Sequence, residues 1–457
     1  MPESSRRVLI SCIVITVVVC LCLSLVSIAG GLGILLFRKG SIPLTLPTPN
    51  ANPQPTTSLT DTEISNQMDE IQAQVSKLRG LASTGPVTRA LLTGDQLRQH
   101  VMDDFLKNYT TEDAQNDAIS LAAFGLLQPN FDLHNFLLEL YSEQIAGFYD
   151  QKTKEMYVVQ GESFQGPERL TYAHEYDHVL QDQNFDIQNG LNYRDSVCKL
   201  ESERCAAIQS LLEGDSSLSE LTWFQTYATD QDRKEIMAKY SDYSSPVYDS
   251  APDFMKEDFL FPYQQGLDFV KALYNQGGWN EVDRAYQMLP VSTEQIMHPE
   301  KYPDDQPLSV TLTDLTQALG AGWKEVDQGV LGEWYTFLVL AHGRDSQSHL
   351  DEQTASTAAK GWGGDAYAVY YNSDTDQSVL TLKTVWDSSN DAEEFSKAFQ
   401  SYASKRFGAP ETQNNGSVTW QSTDSFTGLY FQGSQTIWIF APTSNIAQSI
   451  IPQIQNP

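Results

Sequence analysis

The segment His174-Glu175-Tyr176-Asp177-His178 decides how this chain is read. It lies inside Pro167 to Gln183, a stretch whose composition predicts a helix. Helical residues four apart share a face, so His174 and His178 point the same way. Two imidazoles on one face can hold a divalent metal, and Glu175 beside them can reach a water on that metal. A metal such as zinc brings the water's pKa toward neutrality, and a neighbouring carboxylate takes its proton. The alternative is a surface helix with two solvated histidines. Leu170, Tyr172, Ala173 and Val179 argue against it, because they make the helix apolar enough to bury. Burying two histidines and a glutamate with no partner is costly.

A catalytic zinc needs a third protein ligand and one open position. Glu201, Glu203, Glu213 and Asp215 follow at helical distance. Glu201 and Glu203 sit in the charged run Lys199-Leu200-Glu201-Ser202-Glu203-Arg204, which reads as a solvated face. Glu213 lies in Leu211-Leu212-Glu213-Gly214-Asp215, where a glycine permits close approach of another backbone. Glu213 is therefore the preferred third ligand.

The surroundings bound the rest. The chain has 457 residues, more than one hydrophobic core usually serves. Its net charge of -30 argues against a nucleic-acid partner, which demands clustered Lys and Arg. Val8 to Phe37 carries no charged residue and exceeds the roughly 20 apolar residues that span a bilayer. Residues 1–39 are expected to be a short tail and an N-terminal transmembrane helix, a single-pass anchor with the bulk of the chain extracytoplasmic. A cleaved signal would have a shorter apolar core. Pro43, Pro47, Pro49, Pro53 and Pro55 mark residues 40–60 as an extended Pro/Thr-rich linker. From Asp61 on, Ile64, Met68, Ile71, Val75 and Leu78 recur at helical steps.

The expected fold class is α+β. A mainly helical domain with a small sheet spans 61–350, and a small α+β domain with antiparallel strands and one packed helix spans 355–457. A hairpin is expected around Gln151 to Lys154. A helix over 195–213 should end at Gly214, and 255–345 should be helical with breaks at Pro262, Gly277-Gly278, Pro290 and Pro299. Cys198 and Cys205 are too far apart along a regular helix to bridge, so they pair only if the helix starts after Cys198. Otherwise they are two small buried side chains.

The His-Glu-x-x-His segment followed by a helix bearing Glu-Gly resembles the gluzincin class of zinc metallopeptidases. The stretches Leu78 to Leu81, Gln144 to Asp150, Thr171 to Ala173, Ser292 to Pro299, Gly361 to Asp365 and Trp386-Asp387 resemble an uncharacterised group of bacterial membrane-anchored metallopeptidases. The resemblance implies a zincin-like domain, with His174, His178 and Glu213 as zinc ligands and Glu175 as general base. It implies a peptide or protein substrate paired in β fashion to either Glu155 to Val159 or Gly147 to Asp150. The donor to the oxyanion is expected to be His298, with Tyr149 and Tyr302 behind it; His298 also reads as a helix cap. Asp182 and Asp215 are candidates to orient the ligands. A non-catalytic peptide- or protein-binding module and a zinc hydrolase of a non-peptide bond remain the competing functions. No pattern specifies an oligomeric state.

Overall fold

The computed structural model describes residues 61–457 except 145, 160–163, 242–243, 413–416 and 456–457. The expected anchor and linker lie outside the described residues. Among those described, no helix is long and apolar enough to cross a membrane. The architecture is α+β, with a three-stranded and a seven-stranded sheet.

The first helix, Asp61–Arg79, buries Ile64, Met68, Ile71 and Val75. That apolar stripe packs on the helix that carries the motif, Gly166–Phe185. Three short strands flank the same helix: β1 (Thr88–Leu92), β2 (Gly147–Asp150) and β3 (Glu155–Val159). Their order is β1-β3-β2, with β1 parallel and β2 antiparallel to β3. The expected hairpin joins β2 to β3. Asp150 Oδ1 accepts from Lys152 N at 2.7 Å, and Lys154 takes a left-handed φ of 62°. Because β3 is paired on both sides, its edges are spent. Of the two strands expected to take a peptide, only β2 has an edge that no described strand uses.

The motif helix is buried around its whole circumference, polar residues included. Gln165 N donates to Glu168 Oε2 at its start, and Pro167 sits in its first turn. Across it runs a helix of 25 residues, Ser202–Thr226. This corrects the expected stop at Gly214. The glycine is there for packing: a Cβ on it would lie 2.1 Å from Gly266 O, and one on Gly266 would lie 2.2 Å from Ser210 O. Two backbones thus touch where Ser202–Thr226 crosses the helix Asp253–Gly277. Pro262 does not break that second helix either. A proline inside a helix costs about 3 kcal/mol, and here the buried Phe261, Pro262 and Leu267 repay it by packing. The condition for a disulfide is met. The long helix starts at Ser202, and Cys198 and Cys205 are bonded with their Cα atoms 5.5 Å apart.

The seven-stranded sheet is antiparallel throughout. Its members are β4 (Trp323–Gly329), β5 (Trp362–Asn372), β6 (Gln377–Trp386), β7 (Glu411–Thr412), β8 (Val418–Gln421), β9 (Phe426–Gln432) and β10 (Gln435–Ala441). The order is β4-β5-β6-β10-β9-β8-β7. The sheet therefore reaches back across the boundary expected near 355 and recruits β4 from a stretch expected to be helical. β4 is an edge strand, and its exposed Lys324 and Glu325 hide the strand pattern in the sequence. Two helices cover the sheet rather than one. Ser389–Phe407 packs Phe399 and Tyr402 toward Trp420 and Trp438. Ser444–Gln455 buries Ala447, Ile450 and Ile454 with Tyr370, Ile437 and Ile439 of the opposite face.

Between β4 and β5 the helix Gly332–Ala341 leaves the sheet and docks on the helical half that carries the motif. Trp334 Nε1 and the Tyr335 hydroxyl donate to Asp258 at 2.9 and 2.7 Å. One core cluster consequently runs from Tyr109 to Trp438 without a gap between the halves.

Candidate metal centre

Three of the expected residues converge. His174 Nε2 and His178 Nε2 lie 3.2 Å apart, and Glu213 Oε2 stands 3.3 and 3.4 Å from them. Donors bound tetrahedrally at about 2.0–2.1 Å are separated by about 3.3–3.4 Å. The triangle is thus the size that one zinc ion requires. All three side chains are buried, as is Glu175.

The triangle is held from behind. Glu220 Oε2 lies 2.7 Å from His174 Nδ1, and Gln181 Oε1 lies 2.8 Å from His178 Nδ1. A proton on each Nδ1 satisfies both bonds and leaves both Nε2 lone pairs facing Glu213. Three acceptor atoms then meet with no donor among them, an arrangement that repels itself unless a cation fills the centre. The donor set fits a metal of zinc's type. Gln181 is itself fixed, since its Nε2 donates to Asp177 Oδ2, Leu212 O and Ser216 Oγ, each at 3.0 Å.

The electrostatics agree. Burial opposes charge on His174, but hydrogen bonds to Glu213 and Glu220 outweigh it and raise the imidazole pKa well above its ordinary value. His178 is raised likewise, with the Glu213 charge overcoming burial. For Glu213, burial is overcome by His178 and His174, and the carboxyl falls to about 2. The carboxylates around the two histidines thus favour positive charge on or between the imidazoles.

Behind Glu213 lies a buried ion cluster. Arg79 ends the first helix fully buried, and its Nε and Nη2 reach Asp215 at 2.6 and 3.0 Å. Its Nη2 also meets Asp283 at 2.7 Å, and its guanidinium stacks 4.5 Å from the Trp279 ring. Tyr286 donates to Asp215 at 2.7 Å. Asp215 therefore braces the Glu213 turn against the first helix and does not touch a histidine.

Other expected residues stand elsewhere. His298 caps the helix Thr293–Met297 by position, and its Nε2 lies 2.8 Å from Glu333, with no contact to the triangle among the described bonds. Tyr149 donates to Asp182 at 2.6 Å, and Tyr302 to Met288 O at 2.5 Å. Asp182 also holds Lys154 at 2.6 Å, so it ties the β2–β3 hairpin to the motif helix and orients no ligand. Glu203, the rival ligand, accepts from Thr293 N and Oγ1 at 2.6 and 2.7 Å. A second acidic group, Glu294, Asp305 and Asp387, surrounds the Lys301 ammonium at 2.6, 3.0 and 2.7 Å, which occupies the place a metal would need.

Glu220, Gln181 and Arg79 were not read as site residues. Glu220 carries a signal in retrospect, because it lies two helical turns after Glu213 and on the same face. Gln181 sits three residues past His178, a spacing shared by many surface pairs. Arg79 has no local signal, since its partner is 136 positions away.

Residues 317–450 match a family described as a domain of unknown function, DUF8575. Neither a curated protein nor a solved structure matches the chain. The matched segment covers the seven-stranded sheet and the docking helix Gly332–Ala341. It begins well after the motif helix and Glu213, and assigns no chemistry to the triangle.

Proposed function

We infer that this chain is a zinc-dependent peptidase, anchored in a membrane by its apolar N-terminal segment Val8 to Phe37, with its bulk extracytoplasmic and a peptide or protein as substrate. The observation that carries the reading is the tetrahedrally sized triangle of His174, His178 and Glu213, with Glu175 left outside it. Zinc held there would polarise the scissile carbonyl and acidify a water. Glu175 would be the general base, taking a proton from the attacking water and giving it to the leaving amide nitrogen. Glu220 and Gln181 keep both imidazoles in the tautomer and orientation that offer Nε2 to the centre. The zincin-like assignment of the helical half rests on this constellation and on the motif resemblance.

One observation favours a second reading. All four side chains are shielded from solvent, as in structural zinc sites that stabilise a fold without turning over substrate. A peptidase must open a path to Glu175 for its substrate. Purified protein should bind one zinc and cleave a mixed-sequence peptide library. Glu175→Gln should retain the zinc and lose cleavage by at least a hundredfold. Zinc bound by both, with no cleavage by the wild type, would favour the structural metal. No zinc bound at all would remove both readings.

A further inference from the structure

Sharing no residue with the His174, His178 and Glu213 triangle, a cavity of about 440 Å3 opens between the two halves of the molecule. That lies within the range of about 300–1,000 Å3 typical of small-molecule sites, which favour such junctions. Its floor is one face of the helix Thr111–Phe124, where Ala114, Ala118 and Ala122 recur once per turn. From Thr111 to Ala122 that floor runs roughly 16 Å at 1.5 Å per residue. Alanine at each turn leaves a trough where larger side chains would fill the space. Gln115 and Ile119 of the same helix also line it, and Phe131 and Phe440 of β10 add apolar surface.

One end of the trough is cationic. Arg344 lines it and spends Nη1 on the carbonyls of Ala122 and Leu127, at 3.4 and 2.8 Å. Its Nε and Nη2 have no protein acceptor among the described residues, and no carboxylate lies within ion-pair distance of it. Burial, with Arg406 nearby, pulls its pKa below the ordinary guanidinium value, against the opposing charges of Tyr402 and Asp345. This is unusual in a chain with 59 acidic residues against 29 basic ones. Two carboxylates, Asp132 and Asp376, line the same cavity and hold their charge against neutral donors. Asp132 accepts from Asn135 N and Nδ2, and Asp376 accepts from the Tyr371 hydroxyl.

We propose that this cavity binds an amphiphilic carboxylate, its unbranched apolar body along the alanine trough and its carboxylate on the free nitrogens of Arg344. The two halves of the molecule would then share a ligand, with the floor from the first and Phe440 from the DUF8575-matched segment. The inference does not depend on the metal centre.

Titration calorimetry of the whole protein with decanoate tests it, with decylamine as the charge-reversed control. Saturable 1:1 binding of decanoate is expected, with decylamine at least tenfold weaker. Arg344→Gln should weaken decanoate at least tenfold. Because Arg344 also holds helix carbonyls, Ala118→Met serves as an independent variant that fills the trough without altering charge. It should abolish binding while the melting temperature stays close to the wild-type value. Three results would each overturn the proposal: no saturable binding by wild type up to millimolar decanoate, equal binding of decanoate and decylamine, or undiminished binding by folded Ala118→Met.

Discussion

Replacing Glu220 by alanine tests how the histidines are held without touching the His174, His178 and Glu213 triangle. Glu220 Oε2 lies 2.7 Å from His174 Nδ1, and both groups are buried. A hydrogen bond to a charged group is worth about 1.5–3 kcal/mol, and losing one partner leaves the buried N–H of His174 unsatisfied. His174 would then be free to rotate or to move its proton to Nε2, which faces the centre. Loss of such a supporting carboxylate costs about 10–100-fold in metal affinity, or about 1.4–2.7 kcal/mol. The assay is zinc competition against a chelator of known affinity, with a thermal melt on each sample. Glu220→Gln keeps the size and an acceptor oxygen but not the charge, so its loss should fall between wild type and alanine. If both variants fold and bind zinc within twofold of wild type, Glu220 does not position His174 and the account of the triangle fails.

Gly214→Ala should destabilise by at least about 1–3 kcal/mol, the usual cost of overpacking, because its Cβ would meet backbone at 2.1 Å; it should also weaken zinc by displacing Glu213, and a wild-type melt would remove the helix crossing from the argument. Stripping zinc with a chelator should lower the melting temperature, since a ligand at a thousand times its Kd contributes about 4 kcal/mol; an unchanged melt would mean that the three facing acceptors need no cation. Burial raises Glu203 from 4.5 to about 8. The folded state therefore holds a proton that the unfolded chain releases, so this contribution is complete below about pH 4.5 and is lost as pH rises through 8. At 1.36 kcal/mol per unit the loss is at most roughly 4–5 kcal/mol. Urea midpoints should fall from pH 5 to 8 in wild type and fall less in Glu203→Gln, and parallel slopes would contradict this.

Much of the centre was legible because it is local. His174 and His178 share a face by helical geometry alone, and Glu175 follows from its place between them. The first helix was legible through its stripe, the β2–β3 hairpin through its turn, and β5, β6, β8, β9 and β10 through their aromatic and β-branched runs. Positions whose signal points the wrong way were misread. Gly214 and Pro262 carry the marks of helix ends, yet packing at the crossing outweighs both local costs. Lys324 and Glu325 obscure β4 because an edge strand turns half its side chains to water.

The sequence by itself determined which residues can do metal chemistry and that two of them lie together, since a spacing of four is a property of one helix. Only the tertiary structure decided the partners. It brought Glu213 rather than Glu203 to the triangle, set Glu220 behind His174, locked Arg79 onto Asp215 and left His298 with Glu333. Those choices depend on how helices cross, and a crossing is set by side-chain volumes and close backbone contacts far apart in sequence, which no local spacing encodes.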